Sequence, residues 1–458
     1  MKFIGRFNEL NVLKKAYETD GYEGILIYGR RRIGKSELIK HSYRDETCKV
    51  VYFEATKVSE ESNTLAFNEI IASAFNIPVP NFKTFKDALD YVFKRSLNEK
   101  IILVIDEYPY LREKIVACDS VFQNVIDTYA MSCHLKLILC GSYVDIMENL
   151  LDQDNPLYKR LNININLKQM DYYESALFYP HYSNEDKVRI YSVFGGLPYY
   201  NRYVDDTMSV KENIIRLIAS PDARFNGDPE RALEKEIVKM TNANEAFMAI
   251  ARGYCKFGDI FTHSNVTSTP TLADVLNKLI SMDIVKKESP MNDENSKKSI
   301  YSISDRLTLF YYRYIFPKAS YFSTMPSNAF FDEFIAEDFE TQYVPKQFEE
   351  VAKQYLLRKN RAGEITPVLY KIGKYYYDDP KNHRNGEFDI VTQNKDGYDF
   401  YEVKFTKHPI DDHVVATEVE QLKSVGIPYH RLGFISRSGF FISNPEKYIL
   451  IDLSEIYR

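Results

Sequence analysis

The stretch ILIYGRRRIGKS, residues 25–36, decides how the rest of the chain is read. Ile25, Leu26, Ile27 and Tyr28 form a short apolar run of strand type. Gly29 to Ser36 then read G-x-x-x-x-G-K-S, and Glu37, Leu38, Ile39 and Lys40 continue with helical character. Strand, glycine-rich loop and helix together are the context that a phosphate-binding loop needs. Gly29 and Gly34 let the backbone curl, so that N–H groups across Arg30, Arg31, Arg32 and Ile33 turn inward. The helix end that follows, through Glu37, adds partial positive charge. Lys35 is placed to neutralise β and γ phosphates, and Ser36 to offer its hydroxyl to Mg2+. The bland alternative is a glycine-rich turn, but the fitting flanks favour nucleotide binding.

The rest of the composition frames that site. A chain of 458 residues is too long for one ordinary core, and about two to four domains are expected. A hydrophobic content of 45% with 27% charged residues is that of a globular protein. The first residues, MKFIGRFNELNVLKKAY, lack the apolar core and small-residue cleavage site of a signal peptide. No uncharged apolar stretch reaches membrane-spanning length, so a cytoplasmic protein without a membrane partner is expected. Cys48, Cys118, Cys133, Cys140 and Cys255 form no CxxC pair and no zinc spacing with histidines, which points to reduced thiols. A net charge of −6 means that any nucleic-acid contact must come from a local patch.

Along the chain, strand-like and helical stretches alternate, which implies a parallel sheet with helices on both faces. Lys49–Ala55 is a second strand candidate, Asn63–Phe75 a helix, and Asn81–Leu97 ends in an amphipathic helix. Ile101–Glu107, IILVIDE, suits a buried parallel strand whose carboxyl end opens onto the ligand crevice. It resembles a Walker B motif, in which Asp106 holds Mg2+ through a water and Glu107 polarises the attacking water. Leu135–Ser142 is a further buried strand ending in a small polar pair.

Glu230–Met282 carries three helical stretches, the last being Thr271–Ser281. Two strand-like pieces, MDIVKKESP and SIYSIS, then flank the polar tip NDENSKK. Helix, helix, helix, hairpin is the order of a winged helix-turn-helix. A reader of duplex DNA would place Thr271–Ser281 in the groove. That helix carries one base, Lys278, and one acid, Asp274, which suits an interdomain packing module better than phosphate contact. Asp305–Pro317 is strongly aromatic and reads as a docking helix.

The last segment changes composition. Phe348–Leu357 is an amphipathic helix and Val368–Tyr377 a strand. GEFDIVTQ and YDFYEVKF, joined by Asn394-Lys395-Asp396-Gly397, read as a hairpin. The hairpin brings Asp389 beside Glu402 and Lys404, and these last two, being two positions apart, share a face. D-x12-E-x-K resembles the PD-(D/E)xK nuclease core. Asp389 and Glu402 are hard oxygen ligands suited to Mg2+, which activates water and stabilises charge on the scissile phosphate. Lys404 adds positive charge or orients the water. Glu349 or Glu350, with Glu349 preferred, completes the acidic set, and Gln421 matches a supporting polar position. Lys371, Lys374, Lys381 and Arg384 are the best candidates for a DNA track.

Several segments resemble prokaryotic AAA-type ATPases. Gly5-Arg6 is similar to their entry segment near the adenine, Ser142 takes the place of the residue that senses the γ phosphate, and PLYKR resembles a PLYxR segment. There Arg160 would face nucleotide or a neighbouring subunit, so a homo-oligomer is plausible. FGGLPYY resembles the GGxP segment closing a small helical lid. With the winged helix and the D…ExK residues, nearly the whole chain resembles the AAA-type ATPases carrying a C-terminal DUF234 domain. The resemblance implies an α/β fold: a P-loop NTPase with helical lid over 1–210, a winged helix-turn-helix over 211–318, and an α/β restriction-endonuclease-like domain over 319–458. It implies an ATP-hydrolysing enzyme using ATP and Mg2+, with a nuclease-like domain that cuts or simply holds DNA. The alternative is a nucleotide switch whose C-terminal domain is catalytically inert.

Overall fold

The computed structural model of the chain describes residues 3–233, 240–292, 299–379 and 384–458. It separates into two compact units, one of residues 1–169 with 197–199 and one of 170–196 with 200–458. The lid residues 170–196 pack within the second unit, where the Tyr343 hydroxyl donates to the Ser192 carbonyl at 3.0 Å and Arg189 Nε donates to Glu340 at 2.8 Å.

The first unit is built on a parallel sheet. Helix α1 (Phe7–Glu18) leads into β1 (Glu23–Tyr28), α2 (Lys35–Ser42) and β2 (Lys49–Glu54). Then come α3 (Glu60–Phe75), α4 (Phe85–Arg95), β3 (Ile101–Asp106), α5 (Tyr108–Lys114), α6 (Cys118–Tyr129), β4 (Leu135–Gly141) and β5 (Ile163–Asn166). The strands lie in the order β2-β3-β4-β1-β5, all parallel. Strands β3 and β4 are buried along their whole length, as their unbroken aliphatic runs require when helices cover both faces. One face closes over an aromatic cluster of Phe53, Phe67, Phe85 and Phe122, with Phe67 stacked on Phe85 at 4.9 Å. Because every strand runs the same way, all carboxyl ends meet at one edge, where β1, β3 and β4 deliver the phosphate loop, Asp106 and Ser142.

In the second unit, helices Met240–Ala251, Phe257–His263 and Thr269–Ser281 precede an antiparallel pair, β6 (Val285–Glu288) and β7 (Ile300–Ile303). The expected order of elements is therefore present, while most of the polar tip, 293–298, lies outside the described residues. Thr269–Ser281 starts on a Ser268 cap and turns Leu272, Leu276 and Leu279 inward. The C-terminal sheet contains β8 (Lys371–Asp379), β9 (Arg384–Asn394), β10 (Gly397–Lys404), β12 (Arg431–Ser436) and β14 (Ile449–Asp452), with short β11 (Ile410–Asp411) and β13 (Phe440–Phe441) pairing apart. Its order is β14-β12-β10-β9-β8, with antiparallel β8–β9–β10 and parallel β10–β12–β14. Helices Val344–Arg361 and Asp412–Val425 accompany it. Among the described residues, no helix is long and apolar enough to cross a membrane.

Candidate nucleotide site and C-terminal carboxylate cluster

The phosphate loop follows β1 directly. Gly29 (φ 149°), Arg32 (φ 67°) and Gly34 (φ 95°) take positive φ, and this bends the backbone around a concave N–H lining before α2 begins at Lys35. A Cβ on Gly29 would lie 2.3 Å from the Leu167 carbonyl oxygen, so the loop admits no side chain there. Lys35 is almost fully buried. Its Nζ donates to the Gly29 carbonyl at 2.9 Å, the Arg30 carbonyl at 3.2 Å and Ser142 Oγ at 3.0 Å. Burial pulls its pKa down, against the opposing pull of Glu107 and Asp106.

Ser36 Oγ donates to Asp106 Oδ2 at 2.7 Å, and the Glu107 N–H donates to Asp106 Oδ1 at 2.9 Å. The Tyr52 hydroxyl, from the neighbouring strand β2, donates to Asp106 Oδ2 as well. Burial raises the Asp106 pKa, but these donors outweigh it and hold the carboxyl below its usual range. Glu107 has left-handed backbone at φ 52° and caps the start of α5. Its carboxylate accepts a 2.7 Å bond from Ser142 Oγ. Ser142 thus stands between Lys35 and Glu107 and joins three of the expected residues into one chain of contacts. A non-glycine residue held at positive φ is the kind of local strain found at functional sites.

Around this centre the structure adds contacts that the sequence did not single out. Tyr52 carries no motif, and only the β2–β3 register, with Tyr52 opposite Val104, puts it within reach of Asp106. Arg31 donates to the Tyr143 hydroxyl at 3.0 Å, and Lys57 lies over the Tyr110 ring at 5.0 Å. Arg6, which its sequence alone would leave on the surface, is 4% exposed and donates to the Ile33 carbonyl of the loop at 3.2 Å.

Arg160 is not beside its own chain's phosphate loop. It precedes β5, which runs parallel to β1, so it falls at the amino edge of the sheet, where its carbonyl accepts from the Tyr22 hydroxyl. Two 2.7 Å bonds tie its guanidinium to Asp127 on α6. Arg160, expected to face nucleotide or a neighbouring subunit, is held by Asp127 within its own chain.

In the C-terminal sheet, Tyr401 pairs with Ile390 across β9 and β10. One step further along both strands brings Glu402 beside Asp389, as the hairpin reading required. Glu349 enters from helix Val344–Arg361. Lysines occupy the gaps: Lys404 pairs with Glu402, Lys346 with Glu349 at 2.9 Å, and Lys374 with Glu349 at 3.3 Å and Glu387 at 2.7 Å. Glu418, which the sequence reading left out, joins the group. Burial and then the Glu402 charge raise the Asp389 pKa, while burial and then Glu418 raise that of Glu402. Glu418 lies one helical turn before Gln421, a spacing that could have flagged it. Gln421 itself donates to the Tyr377 hydroxyl at 2.9 Å. Glu350 points elsewhere, to Lys286 at 3.0 Å. Lys381 lies outside the described residues, as do the surroundings of the Arg384 side chain.

The two regions differ as metal sites. Ser36 and Asp106 are hard oxygen donors already in contact beside Lys35, a set that fits Mg2+. Among the described residues, no three His, Cys, Asp or Glu side chains are grouped so as to hold a metal ion. The Glu349, Asp389 and Glu402 set is therefore not a ready-made three-ligand centre, and its lysine pairs supply the physical reason.

A phosphate loop at the end of β1, Asp106 and Glu107 at the end of β3 with β4 between the two strands, and the β2-β3-β4-β1-β5 sheet define a Walker-type ATPase fold. Residues 3–204 match the family described as an ATPase domain predominantly from Archaea, and residues 311–421 match DUF234, described as archaeal and bacterial proteins of unknown function. The chain is 30% identical over 399 residues to the uncharacterized protein MJECL04 of Methanocaldococcus jannaschii, across 86% of this chain and 84% of that one. It belongs to this family of archaeal-type ATPases with a C-terminal DUF234 domain. In fold it is similar to the Walker-type ATPase PABY2304 of Pyrococcus abyssi, with TM-score 0.51 at 18% identity over 68% of this chain and 96% of that one. The Aeropyrum pernix ORC2 protein, in its ADPNP–ADP complexes, aligns with TM-score 0.47 at 12% identity over 68% of this chain and 93% of that one.

Proposed function

We propose that the chain hydrolyses ATP with Mg2+ and that its C-terminal domain holds nucleic acid under the control of that cycle. The series Lys35–Ser142–Glu107 carries the first part, because it places a cation, a polar sensor and a carboxylate in one line at the mouth of the phosphate loop. Mg2+, held by Ser36 and Asp106, would add positive charge against the phosphate oxygens. Lys35 would exchange the Gly29 and Arg30 carbonyls for β and γ phosphate oxygens. Glu107 would take the proton of the attacking water, and Ser142 would hold that carboxylate in line beside the γ phosphate. Arg31, Arg32, Ile33 and Glu37 frame the phosphates through the loop and the start of α2. Arg160, at the far sheet edge, takes no part in this chemistry in its own chain; any nucleotide it served would be a neighbouring subunit's.

The test is ATP turnover and nucleotide affinity in the full chain. Lys35→Ala should abolish hydrolysis, and Glu107→Gln should stop turnover while ATP still binds. Turnover that persists in purified Lys35→Ala would sink the assignment.

A second reading, in which the C-terminal domain also cuts DNA, is favoured by the register that sets Asp389 beside Glu402 with Lys404 on the same face. The lysine pairing of Glu349 and Glu402 favours the holding role. A nicking assay with Mg2+ or Mn2+ separates them: cleavage that Asp389→Ala removes, with ATP turnover intact, establishes the second reading.

A further inference from the structure

Within the second unit, a cavity of about 880 Å³ opens between the β6–β7 hairpin, the end of helix Met240–Ala251, helix Val344–Arg361, β8 and β9. Glu349 and Asp389 line it, whereas Glu402, Lys404 and Glu418 do not. The cluster is therefore approached from its Glu349–Asp389 side. Among the described residues, eight lysines and arginines face six carboxylates on the wall, a basic excess in a chain whose net charge is −6.

The hairpin wall is fastened rather than merely near. Lys286 pairs with Glu350 at 3.0 Å and Lys353 with Glu288 at 2.6 Å. The chain leaving β6 also bonds to the edge strand β8, with the Met291 N–H donating to the Lys374 carbonyl at 2.9 Å and the Tyr376 N–H to Asn292 Oδ1 at 3.3 Å. Lys374 is the same residue whose ammonium holds Glu349 and Glu387, so the hairpin is tied to the strand that feeds the carboxylate cluster.

Size then selects the ligand. A volume of 880 Å³ lies within the roughly 300–1,000 Å³ of sites that bury one cofactor-sized molecule. Such a space takes a few linked nucleotides but not the width of a duplex. The wall carries what an extended phosphodiester strand needs: Lys346, half exposed at 52%, exposed Lys256, and the Tyr376 ring as a surface for base stacking. We propose that this cavity is the ligand site of the second unit and that it takes single-stranded nucleic acid in preference to duplex. The inference rests on the reading of the C-terminal domain as one that holds nucleic acid, and it adds the strand form, the route and the residues.

The test is fluorescence polarisation with the full chain and labelled single-stranded or duplex oligodeoxynucleotides of equal length, in EDTA, so that cleavage plays no part. Single strand should bind at least about tenfold more tightly than duplex. Lys346→Glu and Lys256→Glu should each weaken single-strand binding about tenfold and flatten the slope of log K against log salt by roughly 0.7 for each phosphate that is no longer neutralised. Lys447→Glu, the same charge change on an exposed turn away from the cavity, should leave both unchanged. Duplex binding as tight as single-strand binding, equal effects of all three charge reversals, or full competition by a mononucleotide would overturn the cavity assignment. If neither strand form binds, the nucleic-acid reading of the domain falls with it.

Discussion

Ser142→Ala separates a sensing hydroxyl from a passive one. Ser142 is 9% exposed and makes two short bonds, to Lys35 Nζ at 3.0 Å and Glu107 Oε1 at 2.7 Å. A hydrogen bond to a charged group contributes about 1.5–3 kcal/mol, and the partly exposed Glu107 places this one at the lower end. If the hydroxyl aligns Glu107 in the transition state, losing about 1.5 kcal/mol lowers kcat roughly tenfold with KM for ATP nearly unchanged. The assay is steady-state ATP turnover in the wild type, Ser142→Ala, Glu107→Gln and the double variant. Residues acting through one another should show a coupling of about 0.5–3 kcal/mol. A coupling under about 0.3 kcal/mol, or a KM that rises while kcat holds, would refute the Lys35–Ser142–Glu107 series as a catalytic unit.

Tyr52→Phe removes one of the donors that hold Asp106 charged; we expect a several-fold rise in the Mg2+ concentration giving half-maximal turnover, with metal-free ATP affinity unchanged by equilibrium binding. Glu350 has its carboxyl raised by burial but held down to about 2 by Lys286, Lys353 and Arg306. A folded pKa below the unfolded one stabilises above the unfolded value and is lost as pH falls. The gap in thermal midpoint between wild type and Glu350→Gln should therefore be full at pH 6–7 and shrink as pH drops from about 4.5 towards 2; a gap that widens on acidification would contradict the sign. Arg160→Ala, whose arginine binds Asp127 far from its own phosphate loop, should leave ATP affinity of the isolated subunit unchanged, and any loss of turnover should grow with protein concentration.

The nucleotide site was legible because its residues are local to strand ends. GRRRIGKS, IDE and LKLILCGS each terminate a buried parallel strand, and a parallel sheet brings such ends to one edge whatever the loops between them do. The same geometry decides where Arg160 falls: it precedes a strand, and preceding residues go to the opposite edge. Tyr52 was invisible because its partner is chosen by inter-strand register, which no spacing in KVVYFEA encodes. The Asp389–Glu402 pairing was legible because the two strands share a tight turn, in which Asn394 Oδ1 accepts from the Asp396 N–H at 2.8 Å and fixes the register.

What lay beyond the sequence was the state of the C-terminal carboxylates, because that depends in part on a lysine from another element of the fold. Lys346 stands one turn before Glu349 on the same helix, but it reaches Glu387, and Lys374 of the edge strand reaches Glu349, only once the sheet is formed. Burying several acids together raises their pKa values and favours any cation that can approach. In this arrangement that cation is lysine, held partly by a strand to which the β6–β7 hairpin is bonded. A ligand that shifts the hairpin would therefore also move the charge balance at Asp389 and Glu349. Access to the cavity and the chemistry available in it are thus two consequences of one set of bonds.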